Sequence, residues 1–321
     1  MGALYRRIGA SDRSGAQSTA EKACSMEWEN TPESSNIEDR RGESMSAGVG
    51  GGGASFGTGG MGIGVILIVL LISYFTGINP AVLLGGAQVV TGGGQHMASA
   101  PQQSRPASSN DRTTSLIRHV LGETEAVWSE ILPAQKGLRY APTTMVLYTG
   151  GTQSGCGGAR AAMGPFYCPN DKKIYLDNSF FREMQQKYGG GGDFAYAYVI
   201  SHEVGHHVQD LLGILDRADE AKQNGSRTQA NAISVRIELQ ADCLAGVWAA
   251  NANNKWNLID QNDIQRAGAT AQAIGDDTLQ KAARGYAVPD SFTHGSSVMR
   301  QKWLMTGLQS GQVDSCNTGV E

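Results

Sequence analysis

The chain has 321 residues, a formal net charge of -4 and 43 glycines, too many for all of it to be packed domain. It carries no basic block, and phosphate binding needs clustered Lys and Arg, so nucleic acid is excluded as the main partner. The glycine is uneven. Residues 48–60 are mostly Gly with some Ser and Ala, and residues 85–110 are rich in Gly, Gln, Ser and Pro. Both stretches have too few apolar side chains to offset the entropy of ordering them, and both read as flexible linkers.

Taken in chain order, residues 1–60 are expected to be a disordered segment, and residues 1–25 show neither periodicity nor a targeting signature. Between Glu43 and Arg105 there is no Asp, Glu, Lys or Arg. Within that silence residues 61–78, MGIGVILIVLLISYFTGI, are mostly branched aliphatics. At the helical rise they reach about 27 Å, close to a bilayer hydrocarbon core. A buried core helix would show a polar face, and a signal peptide would follow a compact charged leader. Residues 61–84 are therefore expected to be a transmembrane anchor that makes the lipid bilayer a partner, followed by a linker at 85–112 and a domain at 113–321. Arg40 and Arg41 precede the run and nothing basic follows until Arg105. That asymmetry predicts a single pass with a cytoplasmic N-terminus and the domain outside the cytoplasm, in the periplasm or at the cell surface of a bacterium.

Cys24 precedes the apolar run, while Cys156, Cys168, Cys243 and Cys316 follow it. An even number on the exported side fits disulfides in an oxidising compartment. Four cysteines allow three pairings. Cys156 and Cys168 bracket a short Gly-rich loop, which favours that pair and leaves Cys243 for Cys316. A four-cysteine zinc site would call for Cys-x-x-Cys spacing, which is missing.

The domain opens on a helix predicted over residues 113–132, and short strands are predicted at 142–149 and 173–176. Gly189 to Gly192 lack the rest of a phosphate-loop motif and read as a flexible connection. A helix follows over residues 194–212, with Asp193 placed to cap its start and Gly213 its end. It contains His202-Glu203-Val204-Gly205-His206. Histidines four apart share one helix face and can hold one metal ion, with Glu203 beside it as a base.

A hydrolytic zinc needs a third protein ligand and an open position. In the apolar helix predicted over residues 235–248, Glu238 and Asp242 lie on one face, and two acids there are costly unless paired or metal-bound. Glu238 is the candidate third ligand, and Asp242 the acceptor that orients a ligating imidazole. Cys243 is turned about 140° from Glu238 around the helix and is no fourth ligand. His207 points 100° away from His206 and reads as a packing residue. His96 and His119 have no partner at ligand spacing. Helices are further predicted at residues 260–274, 277–284 and 297–309, giving an α+β domain that is mostly helical.

HEVGHH, ELQADC, the loop from Cys156 to Cys168 ending in GPFYC, and Phe292-Thr293-His294-Gly295-Ser296 together resemble the neutral zinc metallopeptidase family of membrane-anchored bacterial proteins. The resemblance runs from about Trp28 to Cys316 and includes Asn36-Ile37-Glu38-Asp39-Arg40-Arg41. It implies a zincin-like fold, one N-terminal span, and one zinc ion on His202, His206 and Glu238 with Glu203 as catalytic acid/base. Family members begin near Met26, so residues 1–25 are expected to be an upstream extension. The reaction expected is hydrolysis of a peptide bond in a peptide or protein substrate. Zinc lowers the pKa of its water toward about 7, Glu203 takes the proton and passes it to the leaving amine, and His294 is the candidate donor to the developing oxyanion. The rival reading is an extracytoplasmic binding or quality-control module in which zinc is only structural.

Overall fold

The computed structural model describes residues 26–43, 111–188 and 192–320. Residues 1–25, the linker at 48–60, the anchor expected at 61–84, residues 85–110 of the linker expected at 85–112, His96, and Gly189 to Gly191 lie outside the described residues, while Asp111 and Arg112, expected in that linker, instead begin a helix. Among those described, no helix is long and apolar enough to cross a membrane. They form a mostly helical α+β fold, as expected.

Helix α1 (Arg112–Lys136) starts where the Asp111 carboxylate accepts the Thr114 amide, and stops at Gly137, whose φ of 68° is left-handed. Strands β2 (Thr144–Tyr148) and β6 (Lys173–Asp177) then run parallel, with Met145 opposite Ile174 and Val146 opposite Tyr175. Strand alternation sends Met145, Leu147, Ile174 and Leu176 into the helical core. Their neighbours Val146, Tyr148 and Tyr175 bury against Ala159 and Cys168 on the other face. Between them come the hairpin β3 (Gly151–Ser154) and β4 (Gly157–Arg160), and β5 (Phe166–Cys168), antiparallel to β6.

The sheet order is β1-β2-β6-β5, and β1 (Ile37–Asp39) comes from the segment expected to be disordered. That expectation is corrected for residues 26–43. Ile37 pairs in parallel with Met145, and Trp28, 4% exposed, sits in the main core. Burying a side chain of that size stabilises by roughly 2–3 kcal/mol. A three-residue strand is too short to show alternation, so the sequence pattern gave no warning of it.

Helix α2 (Phe180–Tyr188) precedes the central helix α3 (Asp193–Leu211). Asp193 is not the cap: Gly192 holds that position at φ 117°, and Asp193 is the first helical residue. Its carboxylate accepts instead from Trp28 Nε1 at 2.7 Å and from both Arg112 terminal nitrogens at 2.8 and 2.7 Å. The chain reverses at Gly213, φ 68°, into α4 (Ile214–Asn224). Helix α5 (Arg227–Trp256) begins with a Ser226–Gln229 capping box and runs for 30 residues, buried through its middle. The remaining helices are α6 (Gln261–Ala273), α7 (Asp276–Arg284) and α8 (Ser297–Ser310).

Two glycines set how closely these helices approach. A Cβ on Gly205 would lie 3.0 Å from Ala241 O, so α3 presses its metal-site face onto α5. A Cβ on Gly307 would lie 1.9 Å from Cys243 O, so α8 lies against the far side of α5. Disulfides join Cys156 to Cys168 and Cys243 to Cys316, which is the pairing expected.

Candidate metal centre

The contact of α3 with α5 brings His202 and His206 over Glu238. His202 Nε2 is 3.2 Å from Glu238 Oε2, and His206 Nε2 is 3.6 Å from Glu238 Oε1. One donor atom from each of the three residues lies within 4.8 Å of the others, the spread that one small cation would bridge.

The far nitrogen of each imidazole is already engaged. His202 Nδ1 is 2.9 Å from Asp242 Oδ1, and His206 Nδ1 is 2.8 Å from Gln209 Oε1. Both Nε2 atoms therefore converge on Glu238 with the ring planes held. Asp242 lies where the sequence reading put it. Gln209 is a residue that reading missed, although it stands three positions after His206. Its amide donates to Ile237 O at 2.8 Å and Gln240 Oε1 at 2.9 Å, tying α3 to α5.

Arg300 was missed as well. It reaches down from α8, 4% exposed, and donates to both Asp242 oxygens at 2.8 Å. Tyr198 OH donates to Asp242 Oδ1 at 2.6 Å. Burial works against the charge on Asp242, but Arg300 and His202 overcome it and bring its pKa down to about 2. Nothing in the spacing of the α8 helix marks Arg300 as part of the site.

The electrostatics of the three donors suit a cation. Burial opposes a charge on His202, yet Asp242 and Glu238 outweigh it and raise its pKa to about 10. Burial likewise opposes a charged Glu238, but the imidazoles of His206, His202 and His294 hold its carboxyl well below the usual range. A field that grips a proton on an imidazole grips a metal ion competing for the same lone pair. Two imidazoles and one carboxylate match the donor set of a zinc site that keeps an open position. Cys243, in its disulfide, cannot add a fourth ligand.

Glu203, 8% exposed, lies beside the ligands, and burial raises its pKa above the ordinary carboxylate value. The backbone of Tyr167, on β5, works the other way and favours its charged form. His294 stands in the turn before α8, where Asp276 organises it. Asp276 Oδ2 accepts the amides of Thr293, His294 and Gly295 at 2.7, 2.7 and 3.0 Å, and Oδ1 lies 3.2 Å from His294 Nδ1. Burial disfavours a proton on His294, but Asp276 and Glu238 prevail and raise its pKa. His207 points away from the donors, between Tyr167 OH at 3.0 Å and Ala141 O at 2.6 Å. His119 lies under the N-terminal arm, 2.9 Å from Thr31 O.

The family model described as "Putative neutral zinc metallopeptidase" matches residues 26–319. "Uncharacterized protein YpfJ" of Escherichia coli (strain K12) is 41% identical over 294 residues, covering 91% of this chain and 98% of that protein. "Uncharacterized protein Mb2605" of Mycobacterium bovis is 42% identical over 204 residues, covering 60% of this chain and 66% of its own length. "Uncharacterized protein Rv2575" of Mycobacterium tuberculosis matches to the same extent. No solved structure matches.

Proposed function

The chain belongs to the putative neutral zinc metallopeptidase family, and from that premise we propose that it is a zinc-dependent endopeptidase of zincin-like fold. One zinc ion would be held by His202, His206 and Glu238, with Glu203 as general acid/base. The observation that carries this reading is the convergence of three donors within 4.8 Å, each imidazole fixed from behind. Bound there, zinc supplies a Lewis acid and a nucleophile at neutral pH.

The side chains divide the remaining work. Glu203 takes a proton from the attacking water and delivers it to the leaving amine, and its raised pKa suits both acceptance and release. His294, steadied by Asp276, donates to the carbonyl oxygen as negative charge develops. Strand β5 pairs with β6 on one side only among the described residues, and its Tyr167 backbone touches Glu203. An extended peptide adding to that free edge would bring its scissile carbonyl near the base, with main-chain hydrogen bonds that read little sequence. The two disulfides favour an oxidising compartment outside the cytoplasm. The uncharged run at residues 61–84 favours attachment to a membrane.

The test is Glu203→Gln. It is expected to retain one zinc per chain and lose peptide hydrolysis by about 10²- to 10⁴-fold. Should Glu203→Gln fully rescue the phenotype of a deletion, zinc would be serving a binding module and the peptidase reading would fail.

A further inference from the structure

We propose that residues 26–43 and the domain at residues 111–320 lie on the same side of the membrane, so that the apolar run between them attaches the protein to a bilayer without a net crossing. This inference does not depend on the peptidase reading. The N-terminal arm, residues 26–43, is built deeply into the domain. Strand β1 completes one edge of the sheet, Met26 and Trp28 are part of the main core, and the Glu27 amide donates to Leu258 O at 2.9 Å. Thr31 donates to the buried Glu123 at 2.8 Å, and Ser34 and Asn36 both donate to Glu125. Helix α1 is shaped to receive the arm: a Cβ on Gly122 would lie 2.3 Å from Pro32 O.

The two ends of the intervening stretch meet at one spot. Arg41 Nη1 lies 3.3 Å from Asp111 Oδ2 and 2.9 Å from Thr114 Oγ1. A single pass through residues 61–78 would instead hold Arg41 and Asp111 on opposite faces of a hydrocarbon core about 30 Å thick. The two arrangements exclude each other. A cytoplasmic N-terminus is expected only if Arg40 and Arg41 stand across the run from the domain, whereas Arg40 N donates to Leu147 O at 2.7 Å and Arg41 lies on Asp111. Arg41, 9% exposed, is spent on Asp39 and Asp111, and Arg40 pairs with Glu38. The sequence still calls for a bilayer, since no charged residue occurs between Glu43 and Arg105 and residues 61–78 are mostly branched aliphatics that water would not solvate.

The experiment compares two exposed positions of the full chain in a Cys24→Ser background, Glu29→Cys on the arm and Glu220→Cys on α4. Spheroplasts of bacteria making each variant are treated with a membrane-impermeant maleimide before and after permeabilisation. The chain should pellet with membranes, and both positions should show the same accessibility, with labelling yields within about twofold of each other. Labelling of one position before permeabilisation and the other only after it would overturn the proposal, as would a chain that stays in the soluble fraction. An epitope ahead of residue 26 in the otherwise unaltered chain gives a second reading that needs no cysteine. It should share the domain's accessibility to external protease, and the opposite accessibility would overturn the proposal.

Discussion

Asp242, on α5 beneath the metal centre, and Glu123, on α1 beneath the N-terminal arm, are both 0% exposed, but their partners differ. Asp242 accepts from Arg300, Tyr198 and His202, and its pKa falls to about 2. Glu123 accepts from Thr31 at one oxygen, the other has no hydrogen-bond partner, and burial pushes its pKa up to about 8. Depth is the same, so the partners decide the charge. The buried acid that faces a candidate metal-ligating imidazole is kept ionised by a guanidinium. One that only helps seat an arm is left protonated at neutral pH.

The largest effect is expected at Arg300. Arg300→Leu leaves Asp242 buried without its cation and should cost about 3–5 kcal/mol in denaturant unfolding. Adding Asp242→Asn should restore much of that loss. If the single and double variants are equally unstable, the Arg300–Asp242 pair is not what holds the charge.

A smaller effect is expected from Asp242→Asn alone. It should weaken zinc binding about 10- to 100-fold in a competition titration with a chelator, because His202 loses the acceptor that orients it. Unchanged affinity would detach Asp242 from the metal centre.

The smallest effect, and one of opposite sign, belongs to Glu123. Its folded pKa is raised from 4.5 to about 8, so the folded state holds a proton that the unfolded state releases. Stability should therefore fall as pH rises through that window, whereas Asp242 contributes stability above its ordinary pKa of 3.8 and loses it as pH drops toward about 2. Glu123→Gln keeps an acceptor for Thr31 and removes the titration. It should be more stable than the wild type at pH 8 and flatten the decline between about pH 5 and 8. A pH profile unchanged by Glu123→Gln would contradict this.

How much of this could be read in the sequence depended on whether a residue's partner was near it in the chain. The His202–His206 pair, and the Glu238–Asp242 pair one turn apart on α5, follow from helical periodicity. So do the later helices, whose bounds moved by a residue or so. Helix α4 and the full 30-residue length of α5 escaped notice, since their polar ends lack an apolar stripe. Gln209 was within reach of a local argument, whereas Arg300 acts 58 residues from Asp242 and left no periodic trace. Asp193 was misread because an acid before a helix resembles a cap, while its partners Trp28 and Arg112 are distant in the chain. The arm was the largest miss. Its short strand and single tryptophan precede a glycine-rich stretch whose composition dominated the reading.

Three ligands and a separate base call for zinc content and peptide hydrolysis to be measured in parallel on the full-length wild-type protein and Glu203→Gln. One zinc per chain is expected in both, with hydrolysis confined to the wild type. Loss of zinc from Glu203→Gln, or hydrolysis by it at the wild-type rate, would contradict that expectation.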